Sequence, residues 1–509
     1  MITDQLRRST STPTSSGSRF RWWWLLVVFG LAFLVRAVGL GSAYGVFVDE
    51  ITYRELGRSI AYSGNLDLYG APFFLHPPLF FVIEAAFLRL TPERTDIFEA
   101  VFQLRYLNVA FGAATTVLLF ELVRRTAGVW AAAAAAAVHA FDPFALRITS
   151  RVLLEASAGF WICAGYLVLL SWPPKSGEQR TATDWRPAAA TGVLFGLAVL
   201  TKEPVALFTL VPIVLAGVSR DLPWRQVLTI CGTAILVYLP YPIIAAINGL
   251  GPTYLAEKGQ GALRLGGLLQ LTGFNTEGSA SFLVRLVERL DTFAGTYLIL
   301  GLGVLAILHL FRGLAPGHRL LAWWATTAYG YAGYSIVAGT LEEQFFYYVL
   351  LPAIVVGAVA AHHLVVTGHL KRTWRPAATV LGLAFFVFAA VNWTQLRTTP
   401  DDGYRRLVEH LEHELPPGES IGVAATSDTA DFVLDGFVPV TATTSRELVA
   451  EDVRYHLVST KSIEDGTIRA EPELVVWLQE HAEVMWETEA RTVGKLQLLD
   501  AGSDAVGGG

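Results

Sequence analysis

Two carboxylates stand side by side in "FVDEITYRELGRSIAYSG", Asp49 and Glu50, a few residues after the first long apolar run. A carboxylate held at the edge of a membrane can act as a general base toward a hydroxyl group. The pair also fits a structural role, with Asp49 as the N-cap of a short helix and Glu50 paired to Arg54 one turn on. Further along, "RITSRVLLE" spaces Arg147, Arg151 and Glu155 four residues apart, on one face if the stretch is helical. That triplet is either a salt-bridged helix entry or a second carboxylate with cations for a phosphate. "LTKEP" sets Lys202 beside Glu203 in a tight turn, where the lysine either snorkels or meets an anionic headgroup. "LEEQFFYYVLLP" puts Glu343 just before Tyr347 and Tyr348, which reads as an aromatic belt or as hydrogen-bonding groups for a sugar or phosphate. In "HPPLF", Pro77 fixes its own φ and restricts His76, a turn residue or a ligand to substrate.

Other chemistries lack their residues. No HExxH, paired CxxC or similar ligand spacing occurs, so no cofactor is expected and a divalent metal has no support in the sequence. Walker and Rossmann glycine patterns are missing too, which argues against a nucleotide donor or ATP coupling. The net charge of −6 offers no nucleic-acid footprint. Cys163 and Cys231, the only cysteines, lie in apolar runs, so no disulfide framework is expected.

The elements that must position these groups are membrane helices. The 509 residues are 53% hydrophobic and only 16% charged, with a mean hydropathy of +0.45, too apolar for a soluble globular chain of this length. Apolar runs able to cross a hydrocarbon core begin near Trp22, Leu104, Gly128, Val152, Ala188, Pro204, Val227, Phe293, Leu320, Phe345 and Ala377. About 11 spans are therefore expected. The segment "HPPLFFVIEAAFLRLTPER" is apolar for only about 14 residues and carries Glu84 and Arg89, so it reads as interfacial or re-entrant. With it not crossing, the clusters "RRTAG", "PPKSGEQRTATDWR", "SRDLPWR", "FRGLAPGHR" and "TGHLKRTWRP" all fall on the side of the N-terminal arginines, taken as cytoplasmic. The candidate residues, together with Glu342, then gather on the outer face. Ionisable groups collected at membrane depth on one side point to function.

Residues 1–21 read as a disordered cytoplasmic tail and 22–397 as the membrane domain. Composition shifts sharply near Thr398: "YRRLVEHLEHELPPGESIGVAA" reads as helix, turn and strand, and "RYHLVST" and "ELVVWLQEHAEVMWE" continue the pattern. Residues 398–500 thus form a small extracytoplasmic α/β domain, followed by a flexible tail at 501–509.

The "DE" after the first span, the "PPLF" downstream, the arginine and acid near the start of a later span, the "TKEP" turn and the "EQFFYY" run before "LP" resemble the GT-C superfamily, in particular the branch of protein O-mannosyltransferases and the lipid A aminoarabinose transferase. The resemblance covers roughly Trp22 to Trp393, and an extracytoplasmic α/β domain is usual in that branch. It implies a polytopic α-helical membrane enzyme of the plasma membrane that transfers a sugar, with inversion, from a polyprenyl-phosphate carrier to a hydroxyl of a protein, lipid or polysaccharide. By that resemblance Asp49 is the general base, Glu50 supports it and orients the first loop, Glu155 matches a second acidic position where many relatives carry Asp, and Lys202 holds the lipid phosphate. His76, Arg147, Arg151, Glu203, Glu343, Tyr347 and Tyr348 complete the expected substrate-binding set.

The chemistry agrees with that assignment. Inverting displacement at an anomeric carbon needs one carboxylate to take the acceptor proton, whereas the departing phosphate needs cations. Two alternatives stand beside it. A secondary transporter would place its polar groups near the midplane of related halves, and a noncatalytic cell-envelope binding protein would tolerate Asp49→Asn.

Overall fold

A computed structural model describes residues 22–171, 185–268, 282–312, 316–340, 342–367, 373 and 375–502. The tail expected at 1–21, most of that at 501–509, and parts of three basic clusters lie outside these residues.

The chain begins with α1 (Trp23–Ala37), α2 (Val48–Ser63), a ribbon of β1 (Asp67–Leu68) and β2 (Ala71–Pro72), and α3 (Leu79–Leu90). Next come α4 (Ile97–Ala127), α5 (Val129–Phe141), α6 (Pro143–Thr149), α7 (Leu154–Ser171), α8 (Arg186–Thr201), α9 (Ala206–Val218) and α10 (Trp224–Tyr238). Three shorter helices, α11 (Pro240–Ile247), α12 (Gly251–Leu265) and α13 (Phe282–Glu288), lead to α14 (Leu290–Phe311), α15 (Pro316–Ala338), α16 (Phe346–Val366) and α17 (Arg375–Thr398).

All eleven apolar runs are helical, but fewer meet the length of a crossing. Among the described residues six helices are long and apolar enough, or seven if α5 and α6, bent by 64°, form one broken span. α1 and α8 are apolar but short, as is the stretch from Glu203 to Val218 that contains α9. The breaks have local causes: Asp142 caps α6 with Pro143 in its first turn, and the pair Lys202 and Pro204 separates α8 from α9. α3, at 12 residues, is about 18 Å long by helical rise, too short to cross. Where helices approach closely, small residues permit it: a Cβ on Gly192 of α8 would lie 2.5 Å from the Ile230 carbonyl of α10.

Two local expectations change. α2 starts at Val48 with Phe47 as N-cap, so Asp49 is not the cap and instead lies in the first turn; the helix ends at Gly64, whose φ of 78° is left-handed. "RITSRVLLE" is not one helix either, because α6 stops at Thr149 and α7 starts at Leu154. Arg151 therefore stands on a non-helical break, and the common face drawn from the spacing does not exist.

Beyond α17 the chain forms α18 (Gly403–Glu414), β3 (Ser420–Ala425), α19 (Thr429–Val433), β4 (Val438–Val440), α20 (Ser445–Ala450), β5 (Tyr455–Ser459), α21 (Thr460–Glu464), α22 (Pro472–His481), β6 (Glu483–Ala490) and β7 (Gly494–Asp500). The sheet order is β4-β3-β5-β7-β6, with β3 parallel to both neighbours and the β5–β7 and β7–β6 pairs antiparallel. "ELVVWLQEH" is helix and "EVMWE" strand, so one alternating-looking run divides between two elements. The turn joining β6 to β7 faces the segment between α1 and α2, where Arg491 donates to the Ala43 carbonyl at 2.5 Å.

Candidate active site

The start of α2, the α6–α7 break, the turn between α8 and α9, α12 and the turn before α16 enclose a cavity of about 730 Å3. Asp49, His76, Arg147, Arg151, Lys202, Glu203 and Glu343 line it. Glu50, Glu155, Tyr347 and Tyr348 do not.

Glu50 turns away from the cavity into a fully buried pair with Arg105 of α4, Nε to Oε1 at 2.8 Å and Nη2 to Oε2 at 2.7 Å. Its carboxylate also accepts the Val152 N–H at 2.9 Å and the Phe47 N–H at 3.2 Å. Arg105 spends its remaining donors on the carbonyls of Leu40, Tyr44 and Gly45. One carboxylate thus fixes the start of α2, the segment before it and the α6–α7 break together. Arg54, expected opposite Glu50, pairs with Glu55 instead.

Asp49 is left free by that arrangement. It is half-buried on the cavity wall and has neither hydrogen bond nor ion pair among the described residues. Desolvation pushes its carboxyl up from the ordinary 3.8 to about 7, against the pull of Lys202, with the negative charges of Glu342, Glu155 and Glu50 adding to the rise.

The other carboxylates near the cavity accept hydrogen bonds, Glu342 from the Gln344 amide at 2.9 Å and Glu257 from the Phe74 N–H at 2.7 Å, and three of them are in ion pairs. Glu155, buried behind Lys202, accepts from its Nζ at 2.5 Å, and the same ammonium lies 4.6 Å from the centre of the Phe345 ring. Glu343 accepts from Arg147 Nη1 at 2.9 Å and also pairs with Arg289. Glu203 pairs with Lys258 and accepts from the Tyr238 hydroxyl at 3.0 Å. His76 meets the Tyr53 hydroxyl at 3.3 Å. Burial, with Lys202, Lys258 and Arg264 nearby, holds its imidazole well below the ordinary 6.5, so the ring is neutral.

Two guanidinium groups on the wall remain open. Arg151 makes only long contacts, 3.4 Å to the Gly45 carbonyl and 3.4 Å to Thr492 Oγ1, and stands beside the Tyr44 and Phe47 rings. Arg264 of α12 lines the cavity and has no carboxylate partner among the described residues. Sequence reasoning passed over Arg264, Glu257 and Lys258, although the charged amphipathic stretch "GPTYLAEKGQGALRL" directly after an apolar helix was the signal available. It also missed Arg105, 55 residues from its partner.

Tyr347 and Tyr348 correct the expectation that both meet substrate. The turn before α16 presents Glu342, Glu343, Gln344 and Phe345 to the cavity, and the helix then carries the next side chains into the bundle. Tyr347 Oη lies 3.2 Å from His139 Nε2, and Tyr348 stacks on Phe208 with centroids 5.1 Å apart and its hydroxyl unpartnered. Among the described residues no group of three or more His, Cys, Asp or Glu side chains is arranged to hold a metal.

Residues 84–243 match the family described as dolichyl-phosphate-mannose-protein mannosyltransferase. The match includes Arg147, Arg151, Glu155 and Lys202 and leaves Asp49 outside. No curated protein sequence matches the chain. Among solved structures, ArnT from Cupriavidus metallidurans bound to undecaprenyl phosphate superposes with a TM-score of 0.58 at 15% identity, over 96% of this chain and 99% of that one. The two share one fold. AglB from Archaeoglobus fulgidus, in complex with an inhibitory peptide and a dolichol-phosphate, follows at a TM-score of 0.52 and 16% identity, over 94% of this chain and 74% of that one. The likeness in fold to ArnT extends over the C-terminal sheet region as well as the helices, since nearly all of both chains is covered.

Proposed function

We propose that this protein is an inverting glycosyltransferase that moves a sugar from a polyprenyl-phosphate carrier to a hydroxyl acceptor at the outer face of the membrane. The observation that carries the reading is the state of Asp49: an unpartnered carboxylate on the wall of a charged cavity, raised to about 7, in reach of working pH for proton uptake. Asp49 takes the acceptor proton as that oxygen attacks the anomeric carbon. The bond from that carbon to the phosphate oxygen breaks on the opposite face, and the electron pair leaves with the polyprenyl phosphate. Arg151 and Arg264, which have no carboxylate partner among the described residues, and Lys202, which pairs with Glu155, neutralise that leaving group. The reading requires no cofactor.

A lipid donor is supported by the carriers named for the two structural neighbours, undecaprenyl phosphate and dolichol-phosphate. Sidedness is supported by the opposite helix ends, where Arg124, Arg125, Arg220, Arg225, Arg312 and Arg319 collect as they do on cytoplasmic faces.

The test uses membranes holding wild type or Asp49→Asn, a panel of radiolabelled polyprenyl-phosphate sugars and native acceptor fractions. Wild type should consume one donor and yield a product of inverted anomeric configuration. An equally well-inserted Asp49→Asn protein that remains fully active would refute the base assignment, and no consumption of any donor would refute the activity.

A further inference from the structure

The segment that leads into α2, Gly39 to Phe47, has no regular structure, yet it must fix the helix that carries Asp49. On one side Arg105 and Glu50 hold it. On the other it is held by residues more than 350 positions away, at the root and the hairpin tip of the C-terminal domain. Asp401, which follows α17 and is 3% exposed, uses its carboxylate to accept the Gly45 N–H at 2.9 Å, the Thr492 N–H at 2.9 Å and the Thr492 hydroxyl at 2.6 Å. Its own N–H donates to the Ser42 carbonyl at 2.7 Å. Arg491 reaches the Ala43, Leu396 and Thr399 carbonyls. The approach is close enough that a Cβ on Gly45 would lie 2.9 Å from Thr492 Oγ1.

Thr492 has a second contact. Its hydroxyl proton is given to Asp401, so the oxygen faces Arg151 as an acceptor, 3.4 Å from Nη2. Arg151 also reaches the Gly45 carbonyl with the same Nη2. Thr492 thus lies between the backbone that leads to the base and a guanidinium on the cavity wall.

We infer that the turn joining β6 to β7 is part of the transfer apparatus, with Thr492 as a positioning residue that sets both the first turn of α2 and the aim of Arg151. The C-terminal domain then works by completing the cavity from outside, and free membrane helices would carry an incompletely ordered base. This rests on the transferase reading. It concerns a different part of the chain.

The experiment compares the full-length wild type with Thr492→Val, Thr492→Ser and, as a control on the same hairpin, Lys495→Ala, which removes only an exposed pair with Glu487. Initial rates are measured against donor concentration and pH. Thr492→Val, similar in shape but unable to donate or accept, should lower kcat at least tenfold, raise the donor KM several-fold and move the acid limb of the pH profile. Thr492→Ser should recover to within about threefold of wild type, since it keeps the hydroxyl network, and Lys495→Ala should match wild type. The assignment falls if wild type is active and Thr492→Val equals it, or if Thr492→Val and Lys495→Ala lose activity alike, which would mark general loosening of the domain. A wild type that transfers nothing overturns the transferase reading, and this assignment with it.

Discussion

Arg105 and Glu50 form a doubly hydrogen-bonded pair in which neither side chain has any solvent exposure. The neighbouring carboxylate in the sequence, Asp49, has no such tie among the described residues. Adjacent acids on one helical turn point in different directions, so one is consumed in fixing the loop while its neighbour faces the cavity.

That division separates two substitutions that a sequence reader would treat alike. Glu50→Gln leaves the Arg105 charge buried without its counter-ion and should cost about 3–5 kcal/mol. Asp49→Asn breaks no contact and should keep the wild-type melting temperature or exceed it while abolishing transfer. Thermal unfolding in detergent, run beside the transfer assay, checks both, and a Glu50→Gln protein as stable as wild type would remove the structural role assigned to the pair.

The raised carboxyl of Asp49 predicts a pH signature with a definite sign. A base must be ionised, so the rate should climb as pH rises through about 7 and level off above it. Stability runs the other way. The folded value lies above the unfolded 3.8, so the native state holds the proton more tightly between the two; its contribution is complete below about pH 4 and is lost as pH rises through about 7. Asp49→Asn should flatten that decline, so the melting-temperature gap between variant and wild type should widen from pH 5 to pH 8. A gap that stays constant would show that Asp49 is not titrating in this range.

Lys202 and Glu155, 2.5 Å apart and almost wholly buried, can be tested as a pair. Lys202→Met alone strands a buried carboxylate and should destabilise by about 3–5 kcal/mol, whereas Lys202→Met combined with Glu155→Leu should recover most of that loss. Transfer should stay low in both, because the phosphate cation is absent from each. Recovery of activity in the double variant would assign the lysine a purely structural role.

Much of the membrane architecture could be read from apolar runs, because lipid forces hydrogen bonds to close within each helix. The acidic pair, the "LTKEP" turn and the acids before α16 were visible for the same reason, being charges placed where charge is expensive. What stayed hidden depended on contacts between distant segments. Nothing near Glu50 announces Arg105, and spacing alone suggested Arg54. The four-residue rhythm of Arg147, Arg151 and Glu155 assumed a helix that the backbone interrupts at residues 150–153. Asp401 and Thr492 look like ordinary linker and turn residues until the sheet brings them to Gly45.

The two tyrosines of α16 give the sharpest check on how the cavity is bounded. Both follow Glu343 closely in sequence, but Tyr348 is packed on Phe208 with its hydroxyl buried and unpartnered, and Tyr347 bonds His139 within the bundle. Tyr348→Phe removes a polar atom that has no partner and should leave stability equal or higher, with kcat and donor KM within about twofold of wild type. Tyr347→Phe forfeits one buried hydrogen bond and should cost about 1 kcal/mol, again with little change in donor KM. A large rise in donor KM for either variant would mean that the sugar or phosphate reaches deeper between α7, α9 and α16 than this cavity extends.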